Sequence, residues 1–122
     1  MEDKAQIAII EDEKEMLDVL SGVFEGEHEV FCYSHPIDFL MEESSVDFDL
    51  ILTDLKMPTV NGDHIIEILK LSNAHNKVIA ITGLSMDSEL IAKVKEISDG
   101  PILEKPLDLA KLQAEVKKIL GR

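Results

Sequence analysis

Leu50-Ile51-Leu52-Thr53-Asp54 is a short aliphatic run that ends on an acid, and Leu55-Lys56-Met57-Pro58 follows it. The run is too short for a buried helix, and it has no polar alternation that would leave one face in water. It reads as a strand covered on both sides, the hallmark of an inner strand in a parallel sheet. Ile7-Ala8-Ile9-Ile10 repeats the pattern and is followed by Glu11-Asp12-Glu13. Working outward, β-rich runs occupy residues 7–10, 29–32, 50–53, 78–81 and 102–103. Between them lie apolar stripes with helical spacing: Met16/Leu17/Leu20/Val23/Phe24, Ile37/Leu40/Met41, Ile65/Ile68/Leu69, Leu90/Ile91/Val94/Ile97 and Leu109/Leu112/Val116/Ile119/Leu120. Strand and helix alternate five times. That order predicts an α/β domain, one doubly wound five-stranded parallel sheet with strand order 2-1-3-4-5 and helices on both faces.

Local signals mark the element ends. Asp108 stands where its side chain can cap the last helix, and Ser85 where it can cap the fourth. Asn61-Gly62 supplies a turn before the third helix, and Gly121 closes the last. Residues 1–122 read as a single domain with no linker, internal repeat or effector segment.

The chain has 122 residues, 45% of them hydrophobic and 30% charged, enough for a core in one domain. Its formal net charge is -13. The excess lies in the first half: residues 1–54 hold 16 acids and two lysines, and residues 55–122 hold 9 acids and 10 bases. Direct binding to nucleic acid phosphates is not expected. No apolar run approaches the ~20 residues of a membrane span, and no secretory signal opens the chain. Cys32 is the single cysteine, expected as a small buried residue at a strand end; with no disulfide framework or cysteine metal cluster, a cytoplasmic location is expected. His28, His35, His64 and His75 share no metal-ligand spacing and read as ordinary surface or half-buried histidines.

In open parallel sheets, sites form beyond the carboxyl ends of the strands. There the chain places Glu11, Asp12 and Glu13 after strand 1, Asp54 after strand 3, Thr82-Gly83 after strand 4, and Glu104-Lys105-Pro106 after strand 5. Strands 1 and 3 are neighbours in the expected order, about 4.8 Å apart, so Asp12 and Asp54 should meet although 42 positions separate them. Three carboxylates this close resist ionising unless a cation joins them, and an all-oxygen set suits Mg²⁺. Around a central aspartate, such a metal, the Lys105 ammonium and the Thr82 hydroxyl make a phosphoryl-accepting site. Glu13 reads as solvent-facing charge at the helix start.

Ile9-Ile10-Glu11-Asp12, Asp54-Leu55-Lys56-Met57-Pro58 with Asn61-Gly62, Thr82-Gly83 and Lys105-Pro106 stand in order at successive strand ends. With these motifs the chain resembles a response-regulator receiver domain of two-component signalling along essentially its whole length. The resemblance implies a flavodoxin-like fold and makes Asp54 the phosphoacceptor, taking its phosphoryl group from a phosphohistidine on a sensor histidine kinase or phosphotransfer protein. It makes Glu11, Asp12, Asp54 and the backbone carbonyl of Lys56 the Mg²⁺ site. Thr82 matches the switch hydroxyl, with Gly83 beside it, and Lys105 the phosphate-sensing lysine; Pro106 matches a proline that follows a cis peptide bond. Output would run through the helix 4–strand 5–helix 5 face. The chain departs from the family pattern at Glu11, where aspartate is frequent, and at Ile102, where an aromatic switch residue is usual. Ser98-Asp99 and Gly100-Pro101 replace the frequent Gly-Ala before strand 5. Lys56 and Leu84 flank the path of attacking water in this family and are expected to set the phosphoryl lifetime.

Two other readings use the same residues. A phosphatase of the haloacid dehalogenase type would need a second aspartate two positions after Asp54, where Lys56 stands, and a cap domain. A pseudo-receiver, an interaction module that is never phosphorylated, would be expected to lack the acidic pair, the acceptor or the lysine.

Overall fold

The computed structural model describes residues 4–43, 46–57, 61–71, 77–84 and 88–121. Five strands alternate with five helices: β1 Gln6–Ile10, α1 Lys14–Phe24, β2 Glu29–Tyr33, α2 Pro36–Glu42, β3 Leu50–Asp54, α3 Gly62–Leu71, β4 Val78–Thr82, α4 Glu89–Ile97, β5 Ile102–Glu104 and α5 Leu109–Leu120. The strands form one parallel sheet in the order β2-β1-β3-β4-β5, as the alternating pattern predicts. Ile10 pairs with Thr53, and Asp54 with Ile81.

The two continuously apolar strands explain the layers. Successive strand side chains point to opposite faces. Ile7 and Ile9 of β1 join Leu50, Leu52, Ile79 and Ile81 in a core covered by Leu20, Phe24, Leu112 and Val116 of α1 and α5. Ala8, Ile10, Ile51, Val78 and Ala80 line the other face under Phe39, Ile65, Leu69, Ile91 and Val94 of α2, α3 and α4. Every residue of β3 and of β4 is buried.

Asp108 caps α5, its Oδ1 accepting from the N–H groups of Ala110 and Lys111 at 3.0 and 3.3 Å. Gly121 ends that helix at φ 72°, the left-handed conformation that glycine adopts without strain. Ser88 caps α4 by accepting from the Ile91 N–H at 3.2 Å. The expected cap Ser85, like Pro58 and His75, lies outside the described residues.

Several expectations need correcting. β2 to β5 reach one residue further than the apolar runs, because ladder bonds continue past the last apolar residue, and β1 begins one residue earlier, at Gln6. The Leu55 N–H donates to the Ile81 carbonyl at 3.1 Å and the Lys105 N–H to the Thr82 carbonyl at 2.7 Å. Asp54 and Thr82 therefore close β3 and β4 rather than follow them. The buried face of α2 is Pro36 and Phe39, while Ile37 is 45% and Met41 76% exposed. A helix of seven residues is too short for its apolar spacing to identify the inner face. In α3 the buried set is Ile65, Ile66 and Leu69, and Ile68 is half out. Cys32 is exposed, not buried, because β2 is an edge strand and alternation turns Phe31 and Tyr33 toward the α2 side instead.

That side holds an aromatic cluster with no signature in the sequence. Phe31 and Phe48 pack edge to face at 5.3 Å, as do Tyr33 and Phe39 at 5.6 Å. The Tyr33 hydroxyl donates to Glu42 at 2.6 Å, fastening α2 to the sheet edge. Phe39 is fully buried at the centre of the cluster. Phe39→Ala is expected to lower stability by about 3–5 kcal/mol in urea denaturation, the usual range for emptying a buried aromatic site.

Candidate functional site

Parallel pairing of β1 with β3 brings their carboxyl ends side by side, and the acids at those ends come with them. Glu11 continues β1 by donating its N–H to the Tyr33 carbonyl at 3.0 Å, and is only 1% exposed. Asp12 turns outward to solvent. Asp54, the last residue of β3, is buried, and its Oδ1 accepts from the Lys56 N–H at 3.3 Å. One carboxylate oxygen from each of Glu11, Asp12 and Asp54 lies within 4.8 Å of the others.

Lys105 enters from the end of β5, its peptide bond to Pro106 cis. The Nζ stands 3.1 Å from Glu11 Oε1, 3.2 Å from Asp54 Oδ2 and 3.4 Å from Glu13 Oε1. Burial pushes the Glu11 carboxyl up to about 7, and the negative charge of Asp54 adds to this; the Glu13 amide and Lys105 only partly oppose it. For Lys105, burial alone would favour the neutral amine. The hydrogen bond to Glu11 and the charges of Asp54 and Glu11 outweigh it and hold the ammonium above its ordinary value. One cation thus faces four acids. The donor set is all oxygen, and its excess negative charge fits a hard divalent cation such as Mg²⁺.

Thr82 is fully buried at the end of β4, and its Oγ1 accepts from the Leu84 N–H at 2.9 Å. The hydroxyl therefore holds the start of the β4–α4 connection. Gly83 is exposed, and a side-chain carbon placed on it would approach Lys105 Cδ no closer than 3.9 Å. Lys56 is exposed and Leu84 half-buried. Ile102 lies at the start of β5, partly buried, and packs with Leu84, Leu90 and Ile97 against the core beneath α3 and α4.

Two contributors escape a reading of the sequence. Glu13 is mostly exposed, as expected, yet its carboxylate reaches Lys105. Its place at the N-cap of α1, directly after the acidic pair, is the signal that could have revealed this. Gly62 is more than a turn residue. A Cβ there would collide with the Asp54 carbonyl oxygen and come within 2.9 Å of Leu55 Cα, so α3 begins pressed against the backbone of Asp54 and Leu55. The Gly62 N–H donates to the Leu55 carbonyl at 2.9 Å.

The response regulator receiver domain family matches residues 7–117, nearly the whole of this fold and all of the pocket. The chain belongs to that family. Receiver domains are signalling phosphoacceptors that bind Mg²⁺ at an acidic pocket of this kind. The chain is 28% identical to the transcriptional regulatory protein FixJ of Azorhizobium caulinodans, covering 100% of this chain and 58% of that one. It is 29% identical to the transcriptional regulatory protein CusR of Escherichia coli K12, covering 96% and 52%. It therefore spans little more than half the length of these two relatives. Sporulation initiation phosphotransferase F of Bacillus subtilis, 27% identical, is matched over 94% of this chain and 93% of its own. Among solved structures, the BeF3-activated DrrB receiver domain superposes with a TM-score of 0.86 at 28% identity, covering 98% of this chain and all of that one. No helix among the described residues is long and apolar enough to cross a membrane.

Gly62 and Gly83, two of the six glycines of this receiver domain, are expected to differ sharply on substitution. Gly62→Ala is expected to cost about 1–3 kcal/mol in urea denaturation, since backbone must move to admit the methyl group. Gly83→Ala should stay within about 0.5 kcal/mol of the parent, because its surroundings are open.

Proposed function

We propose that this receiver domain takes a phosphoryl group onto Asp54 from the phosphohistidine of a sensor histidine kinase or phosphotransfer protein, in a Mg²⁺-dependent reaction, and thereby switches its affinity for an output partner. The observation that carries this reading is the convergence of Glu11, Asp12 and Asp54 within 4.8 Å, with the Lys105 ammonium 3.2 Å from Asp54.

A carboxylate oxygen of Asp54 attacks phosphorus, a P–O bond forms and the P–N bond to the donor imidazole breaks. The imidazole departs with the bonding pair, leaving an acyl phosphate on Asp54. Glu11, Asp12, Asp54 and the Lys56 carbonyl would hold Mg²⁺, which supplies positive charge to the transferring oxygens. Lys105 already lies on the acceptor and pairs with a phosphoryl oxygen. Phosphorylation adds about −1.5 to −2 charge units to a pocket already rich in acids, so a second donor is favoured. Thr82 supplies it by turning its O–H to donate to a phosphoryl oxygen, its Oγ1 leaving the Leu84 N–H as it moves. That exchange frees the start of the β4–α4 connection and shifts the population of the α4–β5–α5 face, where the partner binds. The protein acts as a signalling phosphoacceptor that promotes its own phosphorylation and slow dephosphorylation. Its site is cytoplasmic, the compartment of its proposed donors.

Incubation with a small phosphodonor and Mg²⁺ is expected to give a single phosphoryl adduct by intact mass. The adduct should vanish in Asp54→Asn and on chelation of the metal; no adduct on the unsubstituted protein would instead indicate a binding module that is never phosphorylated. Lys56 and Leu84 are the residues that shield the acyl phosphate from water. Replacing both with alanine should speed loss of the adduct by roughly threefold or more, a barrier lowered by at least about 0.65 kcal/mol; an unchanged rate would remove them from that role.

A further inference from the structure

The seam between α3 and α4 holds a charge cluster that phosphoryl transfer does not use. Asp63, the second residue of α3, is 3% exposed. Lys93, from the middle of α4, reaches its Oδ2 at 2.9 Å and Glu67 Oε1 also at 2.9 Å. The other oxygen, Oδ1, has no hydrogen-bond partner among the described residues; His64 Nδ1 stands 3.9 Å from it. A buried carboxylate in this position depends on its one bonded cation, since removing the partner leaves an uncompensated charge.

The residue before Asp63 is Gly62, which lies against the Asp54 carbonyl and is bonded to Leu55. The backbone of the acceptor is therefore joined to α4 in two short steps, through Gly62 to Asp63 and through Asp63 to Lys93. The other attachment of α4 is the connection whose start is held by Thr82 and Leu84. One attachment begins at the Thr82 hydroxyl, and the other runs through Asp63 to the backbone beside Asp54.

We infer that Lys93 is a positioning residue that tethers α4 to the phosphoacceptor loop through buried Asp63, and that this tether holds α4 in the position it has when Asp54 is unmodified. The inference rests on the phosphoacceptor role proposed above. By linkage, releasing the tether lowers the cost of moving α4 and so tightens binding of a phosphoryl group, or its mimic, at Asp54.

The test uses the whole chain, with beryllofluoride and Mg²⁺ as the phosphoryl mimic titrated by calorimetry, and amide hydrogen exchange read over α4. Lys93→Met keeps the aliphatic stem and removes the charge. It is expected to speed exchange of α4 amides while α1 and α5 stay unchanged, and to raise beryllofluoride affinity roughly fivefold or more. Asp63→Asn/Lys93→Met leaves no stranded carboxylate, stays folded even if the single variant does not, and should show the same two changes. Faster α4 exchange with unchanged beryllofluoride affinity would overturn the tether and leave the pair as packing alone. Unchanged exchange in both variants would overturn it as well. Failure of the unsubstituted protein to bind beryllofluoride would sink the phosphoacceptor reading and the coupling with it, an outcome distinct from native binding that the substitutions do not alter.

Discussion

Lys105 brings its ammonium from the end of β5 to within 3.1 Å of Glu11 and 3.2 Å of Asp54. Those two carboxylates are buried at the ends of adjacent strands, where each ionised group would cost several kcal/mol without a partner. One lysine cannot neutralise them together with Asp12 and Glu13. The pocket is therefore held together and left electron-rich at once. Burial, with the charge of Asp54 added to it, pushes Glu11 up to about 7, and the excess of carboxylates makes the site fit for a divalent cation. The sheet exists, functionally, to keep this imbalance in place. Parallel order β2-β1-β3-β4-β5 sets all the contributing ends at one edge, and two fully covered inner strands keep those ends from moving independently.

Much of this was legible in the amino-acid order. Continuous aliphatic runs identified inner strands, because only burial on both faces tolerates Leu50-Ile51-Leu52 without a polar break. Acids and a lysine immediately after such runs then had to share the carboxyl edge. What the sequence hid was whatever depends on which way a side chain turns. Helix α2 is under two turns long, so Ile37 and Met41 imitated a buried stripe while Phe39 took the core. Cys32 carried the composition of a buried residue, but the edge position of β2 placed it outside. The role of Gly62 was invisible because it arises from an absent Cβ meeting a carbonyl, a contact no residue type announces.

Charge illustrates the same division. The chain carries -13 overall, and the acids of its first half include Glu11, Asp12, Glu13 and Asp54. Glu13 shows how an exposed acid still belongs to the pocket. It is 69% exposed, yet stands 3.4 Å from the same ammonium that contacts Asp54. A screened contact of that kind contributes little stability. Its effect is on competition: each carboxylate on Lys105 is a partner that any incoming anion has to displace or share. The net charge of the chain therefore says little about the charge of its partners and much about how many groups contend for one lysine.

The same logic applies to α4, where the competition is mechanical. The helix buries Ile91 and Val94 against the sheet, a shallow anchor compared with the fully covered strands beneath it. Polar contacts add to this anchor at its margins: Thr82 with Leu84 at the connection from β4, and Lys93 with Asp63 and Glu67 on the α3 side. A hydroxyl that exchanges one hydrogen bond for another contributes about 1 kcal/mol, and somewhat more when its new partner is charged. In the Lys93–Asp63 pair the ammonium is 43% exposed and screened by solvent, while Asp63 is buried, so losing the lysine leaves a buried carboxylate without that partner. On the proposed phosphoacceptor role, the Thr82 hydroxyl and the Lys93–Asp63 pair bear on the same helix, and Asp63 directly follows Gly62, which lies against the Asp54 carbonyl.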